Sequence, residues 1–177
     1  MIYEPREDSY FLQKLVEQHA FGRVLDMGTG SGILAFTAAE FAESVLAVDI
    51  DEEAVKQVNK SARNLRMKNL KAVKSDLFSK VKTKFNTIIF NPPYLPNCAE
   101  AKDSTIDGGH NGWEVIGRFL EKASNYLRQD GIILLLFSSF TDKLEVDQLI
   151  MKNKFQFEQI GELPLDFEEL YVYKIFK

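Results

Sequence analysis

The chain has 177 residues, of which 45% are hydrophobic and 27% are charged, as is typical of a globular protein with one buried core. Its 22 basic and 26 acidic residues give a net charge of −4, which argues against a generally basic nucleic-acid-binding protein. A single cysteine, Cys98, and two histidines exclude an internal disulfide and a structural zinc cluster.

The amino terminus contains no export signal, because residues 1–8 include Glu, Pro, Arg, Glu and Asp and no apolar run follows a basic start. The longest apolar run, residues 132–137, is far shorter than a membrane-spanning helix. The use of cysteine fits a reducing compartment. We therefore expect a cytoplasmic protein.

Four short apolar runs predict strands at residues 24–27, 45–48, 87–90 and 132–137. These runs do not alternate with polar residues, as expected for strands that are buried on both faces. Helix-like segments lie between them. This alternation predicts a parallel sheet covered by helices.

Two of the intervening segments have the spacing of amphipathic helices. The first has an apolar face formed by Ala54, Val55, Val58, Ala62 and Leu65. The second is predicted to begin near Gly112 and to present a second apolar face, ending before Asp130 and Gly131. That face comprises Trp113, Ile116, Phe119, Leu120, Ala123 and Leu127.

The last part of the chain has a different pattern. Residues 155–160 alternate in polarity, and residues 170–176 form another strand-like run after a predicted turn containing Gly161 and Pro164. This pattern predicts a closing antiparallel hairpin.

A glycine-rich turn follows the first predicted strand. Residues 28–32 read Gly-Thr-Gly-Ser-Gly, and a helix is predicted to begin near Ile33. Glycines let the backbone turn tightly and approach a ligand without a Cβ clash. We therefore expect Gly28 and Gly30 to contact a cofactor.

Acidic residues near this turn indicate which cofactor it holds. Asp49 follows Gly28 by about 20 residues, where a carboxylate accepts hydrogen bonds from ribose hydroxyls. The GxxxxGK phosphate loop is absent, and a dinucleotide fingerprint would have glycine in place of Ile33. Asp26 would repel a pyrophosphate but could pair with a cation. S-adenosylmethionine carries an ammonium and a sulfonium group and fits this pattern best.

A further acidic residue, Asp76, follows the predicted end of a third strand at residues 70–75. We expect Asp76 to accept a hydrogen bond from the adenine amino group, with Leu77 packing on the ring. A helix cap is the alternative role for Asp76.

The strand at residues 87–90 is followed by Asn91, Pro92, Pro93 and Tyr94. The prolines stiffen the backbone and donate no hydrogen bond. The Asn91 side-chain oxygen and the Pro92 carbonyl can then act as two fixed acceptors for an NH₂ group, while Tyr94 offers an aromatic face. Such acceptors stabilise positive charge on a planar amide or aminopurine nitrogen that is being methylated. We therefore predict Asn91, Pro92 and Tyr94 as catalytic residues.

At these motifs the chain resembles the class I S-adenosylmethionine-dependent methyltransferases. Residues 91–94 resemble the motif of their amino-group N-methyltransferase branch. Residues 3–9, Tyr-Glu-Pro-Arg-Glu-Asp-Ser, and 108–112, Gly-Gly-His-Asn-Gly, resemble the HemK/PrmC-type release-factor glutamine methyltransferases in their short archaeal and eukaryotic form. The resemblance covers nearly the whole chain.

This resemblance implies a Rossmann-like α/β fold with a mostly parallel seven-stranded sheet and a C-terminal antiparallel hairpin. It implies one catalytic domain over residues 1–177, with residues 1–22 as an N-terminal lid and helix segment. The expected activity is N5-methylation of the glutamine in the Gly-Gly-Gln loop of a class I peptide-release factor. The expected cofactor contacts are Ser9, Asp26, Gly28, Gly30, Asp49, Asp76, Leu77 and Asn91.

The short form of this family works with a small zinc-binding activator subunit. The resemblance therefore implies a heterodimer, with the partner paired along the sheet edge near residues 70–75. We expect this chain itself to bind no metal.

Other acceptors stay open on the residues alone. An Asn-Pro-Pro-Tyr segment can also hold the exocyclic amine of adenine or guanine in a nucleic acid, or a lysine amine. Residues 56–84 contain ten basic residues and one acidic residue, Asp76, which would suit phosphates or a solvated helix face. A non-catalytic cofactor-binding scaffold is a third hypothesis, but it would not need the Asn91 segment.

Overall fold

The computed structural model describes residues 4–93 and 111–177. The described helices are α1 (Glu7–His19), α2 (Ile33–Ala39), α3 (Glu52–Asn64), α4 (Glu114–Tyr126) and α5 (Lys143–Lys152). The described strands are β1 (Arg23–Met27), β2 (Ser44–Asp49), β3 (Leu70–Lys74), β4 (Phe85–Phe90), β5 (Leu127–Ser138), β6 (Gln156–Pro164) and β7 (Glu169–Phe176). Within these ranges no helix has both the length and the apolar character needed to cross a membrane.

The strands form one sheet in the order β3-β2-β1-β4-β5-β7-β6. Strands β1 to β5 are parallel, and β7 pairs antiparallel with both β5 and β6. The predicted mostly parallel seven-stranded sheet with a C-terminal hairpin is therefore confirmed. The strand order reverses beside β1, and open α/β sheets bind ligands at the carboxyl ends of the strands at such a point.

Side chains that alternate along the strands divide the core into two layers. In β1, Val24 packs in the layer that contains α1, α2 and α3, whereas Leu25 packs in the layer that contains α4 and α5. Both side chains are fully buried. Helices on both faces explain why the central strands are apolar throughout.

The amino-terminal helix α1 lies close to the last part of the sheet. A Cβ at Gly161 of β6 would lie 2.7 Å from Leu15 Cδ1 and 2.9 Å from Phe11 Cζ. Any side chain at this position would therefore push against α1. Gly161 permits the close approach of helix and strand.

The structure corrects the predicted turn of the hairpin. Gly161 and Pro164 both lie within β6, and residues 165–168 connect it to β7. The pairing with β7 shifts register between Gln159 and Gly161. This irregularity lets the strand continue past the glycine instead of turning there.

Two details of the predicted helices are also wrong. Helix α4 ends at Tyr126, and Leu127 already begins β5, where it pairs with Phe85. The register then shifts before Ile132, so the polar residues 128–130 are accommodated within the strand. Leu65 lies just past the end of α3 and is 61% exposed, so it does not belong to the buried helix face.

Candidate active site

The glycine-rich turn leaves the carboxyl end of β1 and is held against β2. The backbone N–H groups of Gly28 and Thr29 both donate to the carbonyl of Val48, at 2.8 and 3.0 Å. Gly28, Gly30 and Gly32 have φ angles of 68°, 51° and 88°. Residues with a side chain rarely adopt this left-handed region, so the alternating glycines are a requirement of the turn.

The space next to Gly28 differs from that next to Gly32. A Cβ at Gly32 would lie 2.7 Å from Phe36 Cε2 and 2.8 Å from Val58 Cγ2. The turn is therefore packed closely against α2 and α3 at Gly32. A Cβ at Gly28 would approach only Phe90 Cε2, at 3.8 Å. The open side at Gly28 leaves room for a ligand to approach the backbone.

Asp49 connects the end of β2 to the glycine-rich turn. Its Oδ2 accepts a hydrogen bond from the Gly30 N–H at 2.8 Å, and its Oδ1 accepts one from the Asp51 N–H at 2.9 Å. Each carboxylate oxygen can accept a second hydrogen bond. The half-buried Asp49 carboxylate can therefore still bind two hydroxyl groups while it orients the turn.

Asp26 is the buried carboxylate of this region, with 1% of its surface exposed. Its Oδ2 accepts a hydrogen bond from the Thr29 hydroxyl at 2.6 Å, whereas its Oδ1 has no hydrogen-bond partner among the described residues. Burial raises the pKa of Asp26 to about 7, and the nearby charge of Asp49 adds to the increase. An ammonium group beside Asp26 would donate a hydrogen bond to Oδ1 and would stabilise the negative charge of the buried carboxylate.

Asp76 and Leu77 follow β3. Asp76 is exposed, and both of its carboxylate oxygens accept hydrogen bonds from Arg118 Nη2 of α4 at 3.0 Å. Leu77 is half-buried, has a φ of 45°, and packs against the core. Sequence reasoning did not identify Arg118, since no motif links it to Asp76 across 42 residues.

Asn91 follows β4 directly and is held by α1. Its Nδ2 donates a hydrogen bond to Asp8 Oδ2 at 2.8 Å, and its buried Oδ1 has no partner among the described residues. Pro92 is buried beside it. Tyr94 lies outside the described residues, so its predicted role stays a prediction.

Asp8 was not identified as a site residue from the sequence. It is 4% exposed, and the hydroxyl of the equally buried Ser9 donates to its Oδ1 at 3.4 Å. Both residues lie in the segment that carried the family resemblance. The signal available in the sequence was an aspartate next to Ser9, a predicted cofactor contact, within that segment.

Three adjacent strands bring most of the predicted residues to one edge of the sheet. Met27 at the end of β1 is in register with Val48 of β2 and Phe90 of β4. Asp26, the glycine-rich turn, Asp49 and Asn91 therefore lie side by side at the carboxyl ends of these strands. Asp76 lies at the far side of this edge, after the terminal strand β3.

Comparison with known proteins assigns the chain to a methyltransferase family. Residues 7–163 match the family model "Methyltransferase small domain". A Methanocaldococcus jannaschii protein named "Putative protein N5-glutamine methyltransferase" is 37% identical to this chain, covering 97% of this chain and 89% of the relative. The release factor glutamine methyltransferase of Streptococcus pneumoniae is 32% identical, covering 63% of this chain and 44% of the relative. The chain thus spans less than half of that bacterial relative.

The fold of this chain is also similar to that of a solved structure. It belongs to the E. cuniculi Mtq2–Trm112 complex, described as responsible for the methylation of the translation termination factor eRF1. The TM-score is 0.81 at 25% sequence identity, and the superposition covers 99% of this chain and 98% of the other.

Proposed function

We propose that this chain, which belongs to the methyltransferase small domain family, is a glutamine methyltransferase. Its proposed acceptor is the N5 nitrogen of the glutamine in the Gly-Gly-Gln loop of a class I peptide-release factor. The chain is an S-adenosylmethionine-dependent methyltransferase. Its predicted kinship with the HemK/PrmC-type enzymes is confirmed by the relative that matches 97% of the chain.

The residues at the carboxyl ends of β1 and β2 fit S-adenosylmethionine. The unpartnered Asp26 Oδ1 is suited to the ammonium group of the cofactor, and the two remaining acceptor positions of Asp49 are suited to the ribose hydroxyls. The open side of Gly28 admits the ligand. Ser9, Gly30, Asp76, Leu77 and Asn91 are the further proposed contacts. When bound, S-adenosylmethionine supplies an electrophilic methyl group on its sulfonium.

One observation above all supports an acceptor that carries an NH₂ group: the side-chain oxygen of Asn91 is buried and lacks a partner among the described residues. A buried carbonyl oxygen without a hydrogen bond is costly, so a donor is expected there when substrate binds. The NH₂ group of glutamine supplies two donors, one for Asn91 Oδ1 and one for the Pro92 carbonyl. These two acceptors would stabilise the positive charge that develops on the nitrogen.

The end of the sheet suits the proposed partner. Among the described strands β3 is terminal and pairs only with β2, so its outer edge is suited to pair with another chain. We therefore place a small zinc-binding subunit along β3 in a heterodimer. A release-factor substrate places the reaction in the cytoplasm.

We also propose that residues 1–22 cover the catalytic domain as a lid, in keeping with the contact between Asp8 and Asn91.

The test is methyl transfer from labelled S-adenosylmethionine to the cognate release factor, with and without a coexpressed partner subunit, followed by mass mapping of the product. We expect one methyl group on the Gly-Gly-Gln glutamine. Asn91→Ala should reduce kcat about a hundredfold or more, the scale of losing one group that stabilises transition-state charge.

Asn64→Ala is the matched control, because Asn64 is exposed at the end of α3, away from the carboxyl ends of the strands. It should leave kcat unchanged. Methylation of RNA, DNA or a lysine side chain with no glutamine product would contradict the proposal.

A further inference from the structure

The buried aspartate of α1 makes the long-range contact that holds the acceptor segment. Asp8 lies in the first turn of α1, and Asn91 follows β4, 83 residues later. The hydrogen bond between them is 2.8 Å long, and Asp8 is 4% exposed. Because this bond joins the Nδ2 of Asn91 to α1, it constrains how the amide is turned.

The chemistry of a carboxylate explains why only one orientation of the amide is favoured. An ionised carboxylate accepts hydrogen bonds and donates none, whereas an asparagine amide has a donor end and an acceptor end. If the Asn91 amide were rotated by half a turn, its Oδ1 would face the Asp8 oxygen at hydrogen-bond distance. This arrangement would be repulsive, so Asp8 keeps the Nδ2 end on its own side.

The opposite end of the amide is then defined as well. With Nδ2 directed at Asp8, Oδ1 is turned away, and this is the buried atom that lacks a partner among the described residues. In the rotated form, an NH₂ group would face the NH₂ group of the substrate. Two donors cannot bond to each other, so the rotated amide could not stabilise a developing positive charge.

We propose that Asp8 is the positioning residue of the acceptor site: its carboxylate fixes the Asn91 amide so that Oδ1 faces the nitrogen that is methylated. This inference rests on the proposed function for the identity of the acceptor, but the orientation of Asn91 follows from the contact itself. In this role Asp8 acts through Asn91.

The first experiment compares Asp8→Asn with Glu7→Gln. Both changes replace a carboxylate with an amide of the same size, one residue apart in α1, but Glu7 is exposed. In Asp8→Asn the new amide can donate to Asn91 Oδ1, so the rotated orientation becomes accessible. We expect kcat to fall about tenfold to a hundredfold, with a smaller change in KM for the release factor. Glu7→Gln should keep the wild-type kcat.

A double-mutant cycle separates positioning from a general structural role. If Asp8 acts through Asn91, Asp8→Asn should cost less than about twofold when Asn91 is already alanine, measured under single-turnover conditions. An equal loss in both backgrounds would overturn the proposal, because the effect of Asp8 would then be independent of Asn91.

A measurement that needs no activity reads the orientation directly. The side-chain ¹⁵NH₂ resonances of Asn91 are assigned by their disappearance in Asn91→Ala. In the wild type we expect one proton of the pair to be shifted downfield by its bond to the carboxylate, and this shift should be lost in Asp8→Asn but kept in Glu7→Gln. An Asn91 pair that is unchanged in Asp8→Asn would refute the role of Asp8. If the wild type methylates no release factor, the proposed function fails while these resonances still decide the role of Asp8.

Discussion

The buried carboxyl of Asp26 should make the stability of the cofactor-free protein depend on pH. In the folded state burial raises the pKa of Asp26 from 3.8 to about 7, whereas in the unfolded chain the group is solvated and has its ordinary pKa. Between pH 4 and 7 the folded protein therefore holds one proton that the unfolded chain has released. The free energy of unfolding must decrease as the pH rises through this range.

The size of the effect follows from the two pKa values. Each pH unit between them costs about 1.4 kcal/mol, and the slope flattens as the pH reaches the folded pKa. From pH 5 to 7, Asp26 alone should lower the free energy of unfolding by about 2 kcal/mol. Asp26→Asn removes the titration and keeps the shape. Its different hydrogen bonding adds only an offset that does not vary with pH.

The assay is urea unfolding of both proteins at pH 5, 6 and 7, followed by circular dichroism. Groups that titrate in both proteins cancel in the difference, which should grow in favour of Asp26→Asn by about 2 kcal/mol over this range. Parallel pH dependence of the two proteins would refute the reasoning. It would mean that Asp26 ionises in the folded state at its ordinary pKa, through a partner or water.

Two further substitutions test the packing and charge around the site. Gly32→Ala should lower the free energy of unfolding by about 2–4 kcal/mol in urea titrations, because it combines a left-handed backbone angle with a Cβ pressed against Phe36 and Val58; a loss below about 1 kcal/mol would show that the turn relaxes freely. Arg118→Ala breaks both hydrogen bonds to Asp76, yet these side chains are 58% and 52% exposed. The same titration should therefore change by less than about 1 kcal/mol, and a larger loss would mean that the pair is not screened by solvent.

The sheet and the cofactor end of the site could be predicted from local patterns. Apolar runs identified the central strands, because strands buried on both faces leave a continuous hydrophobic signal. The glycine-rich turn and Asp49 lie within one strand–helix–strand unit, so their spacing along the chain predicts that they lie close together. The hydrogen bond from the Gly30 N–H to Asp49 is consistent with this expectation.

The structural features that could not be predicted from the sequence depend on contacts between segments that are distant along the chain. The start of β5 at Leu127 is set by pairing with Phe85 and not by the polar residues that follow it, which look like the end of a helix. Gly161 resembles a turn residue, but its role is to admit α1. The partnership of Asp8 with Asn91 spans 83 residues, and no periodicity along the chain encodes it.

The close packing of α1 on Gly161 has a consequence for how distant changes affect catalysis. The same short helix touches the C-terminal hairpin through Phe11 and Leu15 and the acceptor segment through Asp8. A helix of this length moves nearly as a rigid rod, so a bulky residue introduced at position 161 would displace its first turn as well. A change in the hairpin can therefore reach the proposed methylation centre through α1, although the hairpin supplies none of the proposed catalytic groups.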